Sequence, residues 1–276
     1  MLLGRGEVKR TATVSGRFAA VSLLAMLSTS CGGSGSATAQ HRPILPVPGS
    51  TAGAVAATTT TTTTVAVFVA PVGLIATATS GRVDIYNDPS QRTPRAVLPN
   101  PWALNGAVAD PIPQAFRVIR KRTDGWVEVE LPERPNGQSG WIPPGEVRLT
   151  QTPYRIEVSL AAHHIAVFDK TAIVYQGPVA TGAAATPTPT GSYYLRVLLK
   201  SSNPSSVYGP FAFGLSAHSD ALTTFSGSDA EIGLHGNDDL SALGNSVSHG
   251  CIRMDNTAIT TLAKVLPLGT PVNIHN

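Results

Sequence analysis

The stretch IGLHGNDDLSALGNSVSHGCIRM, residues 232–254, holds two histidines and a cysteine, the residue types of a thiol nucleophile and its base. A thiol with an ordinary pKa of ~8.5 is a weak nucleophile at neutral pH until a base or a positive field raises its thiolate fraction. His249 lies two positions before Cys251, and His235 sixteen before it. Two positions on an extended backbone put side chains on one face, whereas a turn lets them diverge, so spacing alone does not choose the base. Gly250 lets the backbone come close, so that the amides around Gly250 and Cys251 can point at a developing oxyanion. Metal binding is the competing chemistry, since His218, His235, His249 and Cys251 are all ligand types. No CxxC or HExxH spacing accompanies them, and a zinc-bound thiolate would be a blunted nucleophile, so neither a metal nor another cofactor is expected. His163 and His164 fall in a strand-like run, alternate faces, and are expected at the surface.

Cys31 and Cys251 are the only cysteines. An even count in an exported chain invites a disulfide, but Cys31 abuts a cleavage-like site while Cys251 sits in a dense polar motif. A lone thiol kept in such a place more often has chemistry to do.

The elements that must position these residues read as β-rich. Gly (26) and Pro (22) are frequent, which favours a loop-rich β architecture over a helical one. From about 73 to 150, short runs (LIATA, VDIYND, FRVIRK, GWVEVELP, GWIPPGEVRL) alternate with turn clusters. Val127, Val129 and Leu131 alternate with Glu128 and Glu130, which predicts a half-buried strand with one wet face. Pro135-Asn136-Gly137 is hairpin-turn chemistry. Trp126 and Trp141 fit core or hairpin-flanking positions better than a ligand-binding aromatic face. From Tyr154 onward a second β-rich domain begins, with a hairpin turning near Asp169-Lys170 and a strand at SYYLRVLL. One helix follows the motif: Asp255 or Asn256 caps it, Ile259, Leu262, Ala263 and Leu266 form its buried stripe, and Pro267 to Gly269 stop it. PVNIH closes the fold as a last strand. The fold class is therefore mainly β: a small barrel at 73–150, then a β-rich domain at 153–276 with a short helix.

The N-terminus reads as an export signal. Arg5, Lys9, Arg10 and Arg17 precede the ten-residue apolar run Phe18 to Leu27, too short for a membrane span, which needs ~20 residues. LSTSC follows, and Cys31 resembles the lipidated cysteine of a bacterial lipoprotein, with small residues Thr29 and Ser30 before it. Such signals usually place Leu three residues before the cysteine, where this chain has Ser28; an ordinary cleaved signal peptide is the alternative. Residues 32–72, with the threonine tract Thr58 to Thr64, read as a flexible tether. The formal net charge of +3 comes from that signal segment, so the remainder is neutral and nucleic-acid binding loses its electrostatic footing.

The pattern HG…SHGCIR resembles the signature of the L,D-transpeptidase catalytic domain, often called the YkuD domain. The upstream TPTPTG and the segment Tyr208-Gly209-Pro210-Phe211 are similar to that family as well, and the likeness covers roughly residues 153–275. DGWVEVELP…GWI resembles the Src-homology-3-like barrel that precedes the catalytic domain in actinobacterial members. The resemblance implies that Cys251 is the nucleophile and His235 the general base. A backbone carbonyl, from Gly236 or its neighbour, would orient that base, so Asp238 and Asp239 are not placed in a triad. Ser248, His249, Gly250, Arg253 and Tyr208 would complete the pocket, with Arg253 either binding a substrate carboxylate or stiffening its loop. The implied reaction is ping-pong: Cys251 attacks a tetrapeptide stem of peptidoglycan, D-Ala leaves, and an amine of a neighbouring stem resolves the thioester. Water as acceptor would make the same site a carboxypeptidase, and carbapenems would acylate it. The implied partners are peptidoglycan stems and, through a lipid on Cys31, the outer face of the cytoplasmic membrane; oligomeric state is not legible. The rival reading is a wall-binding module with a degenerate catalytic domain, against which the intact SHGC and its upstream His235 argue.

Overall fold

A computed structural model of the chain describes residues 65–69, 72–102, 111–225 and 228–276. The signal segment 1–31 with Cys31, and the tether up to residue 64, lie outside the described residues.

The first domain is built from β1 (Val67–Val69), β2 (Leu74–Ala78), β3 (Arg82–Ile85), β4 (Ala96–Pro99), β5 (Ala115–Arg122), β6 (Val127–Glu130), β7 (Ser139–Ile142) and β8 (Val147–Gln151). Its main sheet runs β7-β6-β5-β2-β8, with β1 added to β5 and β3 paired with β4. β1 falls among residues read from the sequence as tether; its register, Val67 against Arg122, makes it part of the barrel edge. Period-2 alternation sends Val83, Ile85, Phe116, Val127, Val129 and Ile142 into one core. Gly137 supplies the positive φ of +85° that the β6–β7 turn requires.

The wet face expected of β6 is not wet. Glu128 and Glu130 are only 5% and 3% exposed. Ser139 Oγ donates to Glu128 at 2.7 Å, and Arg120 pairs with the same carboxylate. Glu130 accepts from Ser216 Oγ at 2.7 Å and pairs with Arg117 at 3.0 Å. Ser216 belongs to the second domain, so that domain meets Glu130 on the face which alternation assigned to solvent, while Glu128 is partnered within the first domain. Tyr194 goes further: it is fully buried in the barrel's own core and packs on Phe116 at a 6.5 Å centroid distance. The barrel core is thus completed by a residue of the catalytic half. Trp141 is buried with Arg120 over its ring, and Trp126 meets Tyr86 edge-on at 5.2 Å, as hairpin-flanking aromatics do.

The second domain comprises β9 (Tyr154–Ser159), β10 (His164–Asp169), β11 (Ala172–Pro178), β12 (Thr181–Gly182), β13 (Gly191–Lys200), β14 (Phe211–His218), β15 (Glu231–His235), β16 (Ser246–Ser248), β17 (Ile252–Arg253), α1 (Asn256–Leu262) and β18 (Pro271–His275). Eight of these strands form one sheet in the order β11-β10-β9-β18-β13-β14-β15-β17. Ile156, Val158, Leu195, Leu215, Leu234 and Ile252 belong to its core, and Ile259 and Leu262 of α1 pack on it. Asp255 caps α1, its carboxylate accepting from Thr257 N and Ala258 N. The helix is shorter than the apolar stripe suggested, although Leu266 beyond it is still buried. His163 departs from the strand expected of it: it sits in a turn at φ +48°, and its Nε2 meets Ser246 Oγ at 2.9 Å.

Candidate active site

The parallel pairing of β15 with β17 sets Leu234 opposite Ile252 and His235 opposite Arg253. Cys251, one residue before β17, therefore lies beside Gly233, whose backbone N–H donates to Cys251 Sγ at 3.3 Å. A methyl group at position 233 would lie 3.4 Å from His235 Cδ2 and 3.5 Å from that sulfur. The imidazole and the thiol thus flank one methyl-sized space. They do not hydrogen-bond each other directly in this geometry, and apo catalytic pairs often tighten only when substrate arrives.

His235 is buried, and its Nδ1 lies 2.6 Å from Gly236 O. A carbonyl can only accept, so Nδ1 carries the proton and Nε2 keeps its lone pair. Burial lowers the imidazole pKa to about 4; the Gly236 carbonyl opposes the shift and the Arg253 cation adds to it. Burial pushes the Cys251 thiol up, while the Gly233 N–H and the Arg253 charge pull it back. At pH 7 both shifts favour a neutral thiol beside a neutral imidazole over a preformed ion pair.

The loop before Cys251 is built by hydroxyls. Gly250 N donates to Ser248 Oγ at 3.1 Å, and Ser248 Oγ donates to Cys251 O at 2.6 Å. Thr186 and Thr188 of the TPTPTG segment reach Ser248 O and Gly250 O at 3.2 and 2.8 Å. Gly250 has φ +119°, a conformation that favours glycine, and a methyl group there would also press on Ile232 Cδ1 at 3.0 Å. Behind the imidazole, Gly209 and Gly236 approach so closely that a side chain on either would strike Asn256 Oδ1. That approach brings the Tyr208 ring to 5.1 Å from the His235 ring.

Cys251, His235 and Tyr208 line two adjoining cavities of about 460 and about 260 Å³. Ser248, His249 and Arg253 line the smaller one. His249 is exposed and lies against Phe225 at a 5.4 Å ring distance. Arg253 makes no salt bridge among the described residues, and its buried Nε has no hydrogen-bond partner. Asp238 and Asp239 are exposed, with Asp239 capping the short 3-10 turn Leu240–Ala242. His218 is remote in role: buried at the end of β14, its Nε2 pairs with Asp229 at 3.2 Å.

Three contributors escaped the sequence reading. Gly233 shows only as a second glycine flanking Leu234-His235 in IGLHG. Asn256 was read as a possible cap, yet its Oδ1 accepts from Asn237 N at 2.8 Å and fixes the loop after His235. Glu231 lines both cavities and pairs with Arg196; only its position four before His235 hinted at it.

The family model of the YkuD L,D-transpeptidase catalytic domain matches residues 153–274, which contain every site residue named above. The chain is 34% identical over 139 residues to the L,D-transpeptidase candidate YkuD of Bacillus licheniformis, covering 50% of this chain and 74% of that protein. The corresponding Bacillus subtilis protein is 32% identical over 123 residues, covering 45% and 66%. Among solved structures, an L,D-transpeptidase from Mycobacterium tuberculosis H37Rv is 20% identical, covering 52% of this chain and 75% of that one, at a TM-score of 0.38.

Proposed function

The chain belongs to the YkuD family of L,D-transpeptidase catalytic domains, and from that premise we propose that it cross-links peptidoglycan stems through a thioester on Cys251. The observation that carries this reading is the shared space between Cys251 Sγ and the Cδ2 edge of His235, with Nδ1 held by Gly236 O. His235 Nε2 takes the thiol proton as sulfur attacks the carbonyl of the third stem residue. The S–C bond forms, the C–N bond to D-Ala breaks, and the departing amine takes the proton back from the imidazolium. A stem amine then attacks the thioester, giving its proton to His235, and the released thiolate recovers it.

The Gly250 N–H is engaged by Ser248 Oγ, which leaves the Cys251 N–H as the oxyanion donor of that pair. The Gly233 N–H and the Arg253 charge favour the thiolate as it forms. Arg253, without an ion-pair partner among the described residues and lining the cavity, is better placed to meet a substrate carboxylate than to stiffen its loop. Incubation with disaccharide-tetrapeptide should release D-Ala and yield a cross-linked dimer. Hydrolysed monomer alone would make the protein a carboxypeptidase, and no D-Ala at all would defeat the reading.

Export with a lipid on Cys31 is proposed from residues 1–31 alone. Cys31→Ser should release the protein from membranes without altering its activity on soluble stems. Wild-type protein that is wholly soluble and cut at another site would leave only secretion.

A further inference from the structure

The β14–β15 connection, residues 219–230, supplies Leu222, Phe225 and Ser228 to the walls of the two cavities at Cys251. Its own backbone ties Ser219 N to Ala230 O at 2.9 Å and bridges Phe225 with Ser228, and further fixings come from the other domain. Arg134, in the β6–β7 turn of the barrel, donates from Nη1 to Ser219 O at 2.6 Å and from Nη2 to Leu222 O at 2.8 Å and Asp229 O at 3.0 Å. Its Nε also donates to the Asp229 carboxylate at 3.2 Å. Two residues on, Asn136 pairs with the His218 backbone in both directions: His218 N donates to Oδ1 at 2.8 Å, and Nδ2 donates to His218 O at 2.7 Å. One guanidinium thus reaches both ends of the connection and its first turn, adding to the Ser219 N–Ala230 O bond and the Ser219 Oγ turn already there.

We propose that Arg134 is a positioning residue for the active site: it anchors the cavity wall that receives the stem, so that substrate capture depends on the barrel. The claim rests on the transpeptidase reading for its substrate but not for its geometry. Asp229 is 61% exposed, so its ion pair with Arg134 is screened and weak. The carbonyl bonds carry the anchoring, because they are charge-assisted and only a planar fork reaches all three at once. Lysine at this position keeps the charge and loses the fork. The same contact explains why the barrel's turn carries polar residues directed at the neighbouring domain. It also gives the barrel a role that needs no ligand of its own.

The test compares full-length wild type with Arg134→Ala and Arg134→Lys. Amides of residues 219–225 should exchange with deuterium about tenfold faster in Arg134→Ala. KM for disaccharide-tetrapeptide should rise about tenfold with kcat within about threefold, since a wall of the binding site has loosened while the reacting pair has not. Labelling of Cys251 by iodoacetamide should stay within about twofold, and Arg134→Lys should fall between the other two. If Arg134→Ala does not fold, Arg134→Lys carries the test, with a KM rise of about threefold expected. Unchanged exchange, unchanged KM, or a fall in kcat and iodoacetamide labelling matching the loss of stem affinity would overturn the proposal. Should wild type turn over no stem, the functional reading fails separately. Exchange together with labelling by the bulkier N-phenylmaleimide, expected to quicken in Arg134→Ala, then decides the positioning claim; no change in either would overturn it.

Discussion

Gly233 N–H donates to Cys251 Sγ at 3.3 Å, and the side of Gly233 that lacks a side chain faces the gap between that sulfur and His235. On the proposed mechanism one residue therefore serves Cys251 twice, as a donor to the forming thiolate and as an absent obstacle. Gly233→Ala places its methyl at ordinary contact distances, 3.4 and 3.5 Å, so the free protein should fold and melt near the wild-type temperature. The methyl would fill the space the acyl carbon needs, and displacement there should cost on the order of 10²-fold in kcat/KM for the stem. Near-normal turnover by a folded Gly233→Ala would mean that the substrate approaches from elsewhere.

The pH dependence follows from the depressed His235. With its pKa at about 4, the imidazole is already neutral at pH 5, so on its proposed role as base the acid limb of kcat/KM should lie near 4 with no inflection around 6.5. The same shift bears on stability. A histidine whose folded pKa is lowered contributes stability that is fully present above the unfolded value of ~6.5 and is lost as pH falls towards the folded one, about 3 kcal/mol over that window. Denaturant unfolding at pH 7 and pH 4.5 should show this loss in wild type and much less of it in His235→Gln. An inflection of kcat/KM near 6.5 would contradict the buried, neutral base.

The barrel–catalytic contact predicts an asymmetry at Tyr194. Its hydroxyl is buried without a hydrogen-bond partner among the described residues, so Tyr194→Phe should leave stability unchanged or raise it slightly. Tyr194→Ala empties a site in the barrel core and should cost about 3–5 kcal/mol in chemical denaturation. Clear destabilisation by the phenylalanine variant would mean that the hydroxyl has a partner.

Much of this was legible in the sequence, for identifiable reasons. Cys251 and His235 stand in a motif dense enough to single them out, and the structure does set them around one small space, while Asp255 and Gly137 announced the cap and the turn by residue type. What failed was inference about faces. Alternation in VEVELP reports the strand but not what covers it, and Ser216, 86 positions away, turns the wet face of Glu130 into an interface. Tyr194 read as one more strand aromatic of SYYLRVLL, since nothing local says that its ring enters another domain. Val67–Val69 read as tether because an edge strand this short has only three residues to show. Asn256 fits a helix start equally as cap or as first helical residue, and only the approach of Gly236 decides.

Inhibitor chemistry tests the pocket independently of the stem. A carbapenem should give one covalent adduct, mapped to Cys251, and chelators should not affect it. A stoichiometric adduct at another residue, or none on a preparation active towards stems, would contradict the cavity assignment.

The central claim, that Cys251 carries the stem as a thioester with His235 as base, is tested most directly by intact-mass spectrometry of the protein quenched during turnover of disaccharide-tetrapeptide. The wild-type mass should rise by the donor less one D-Ala, with the increment mapped to Cys251. It should be absent in Cys251→Ala and form ~10²–10⁴-fold more slowly in His235→Ala, with a much smaller effect in His249→Ala. Turnover by Cys251→Ala, an adduct on another residue, or greater damage from His249→Ala than from His235→Ala would contradict it.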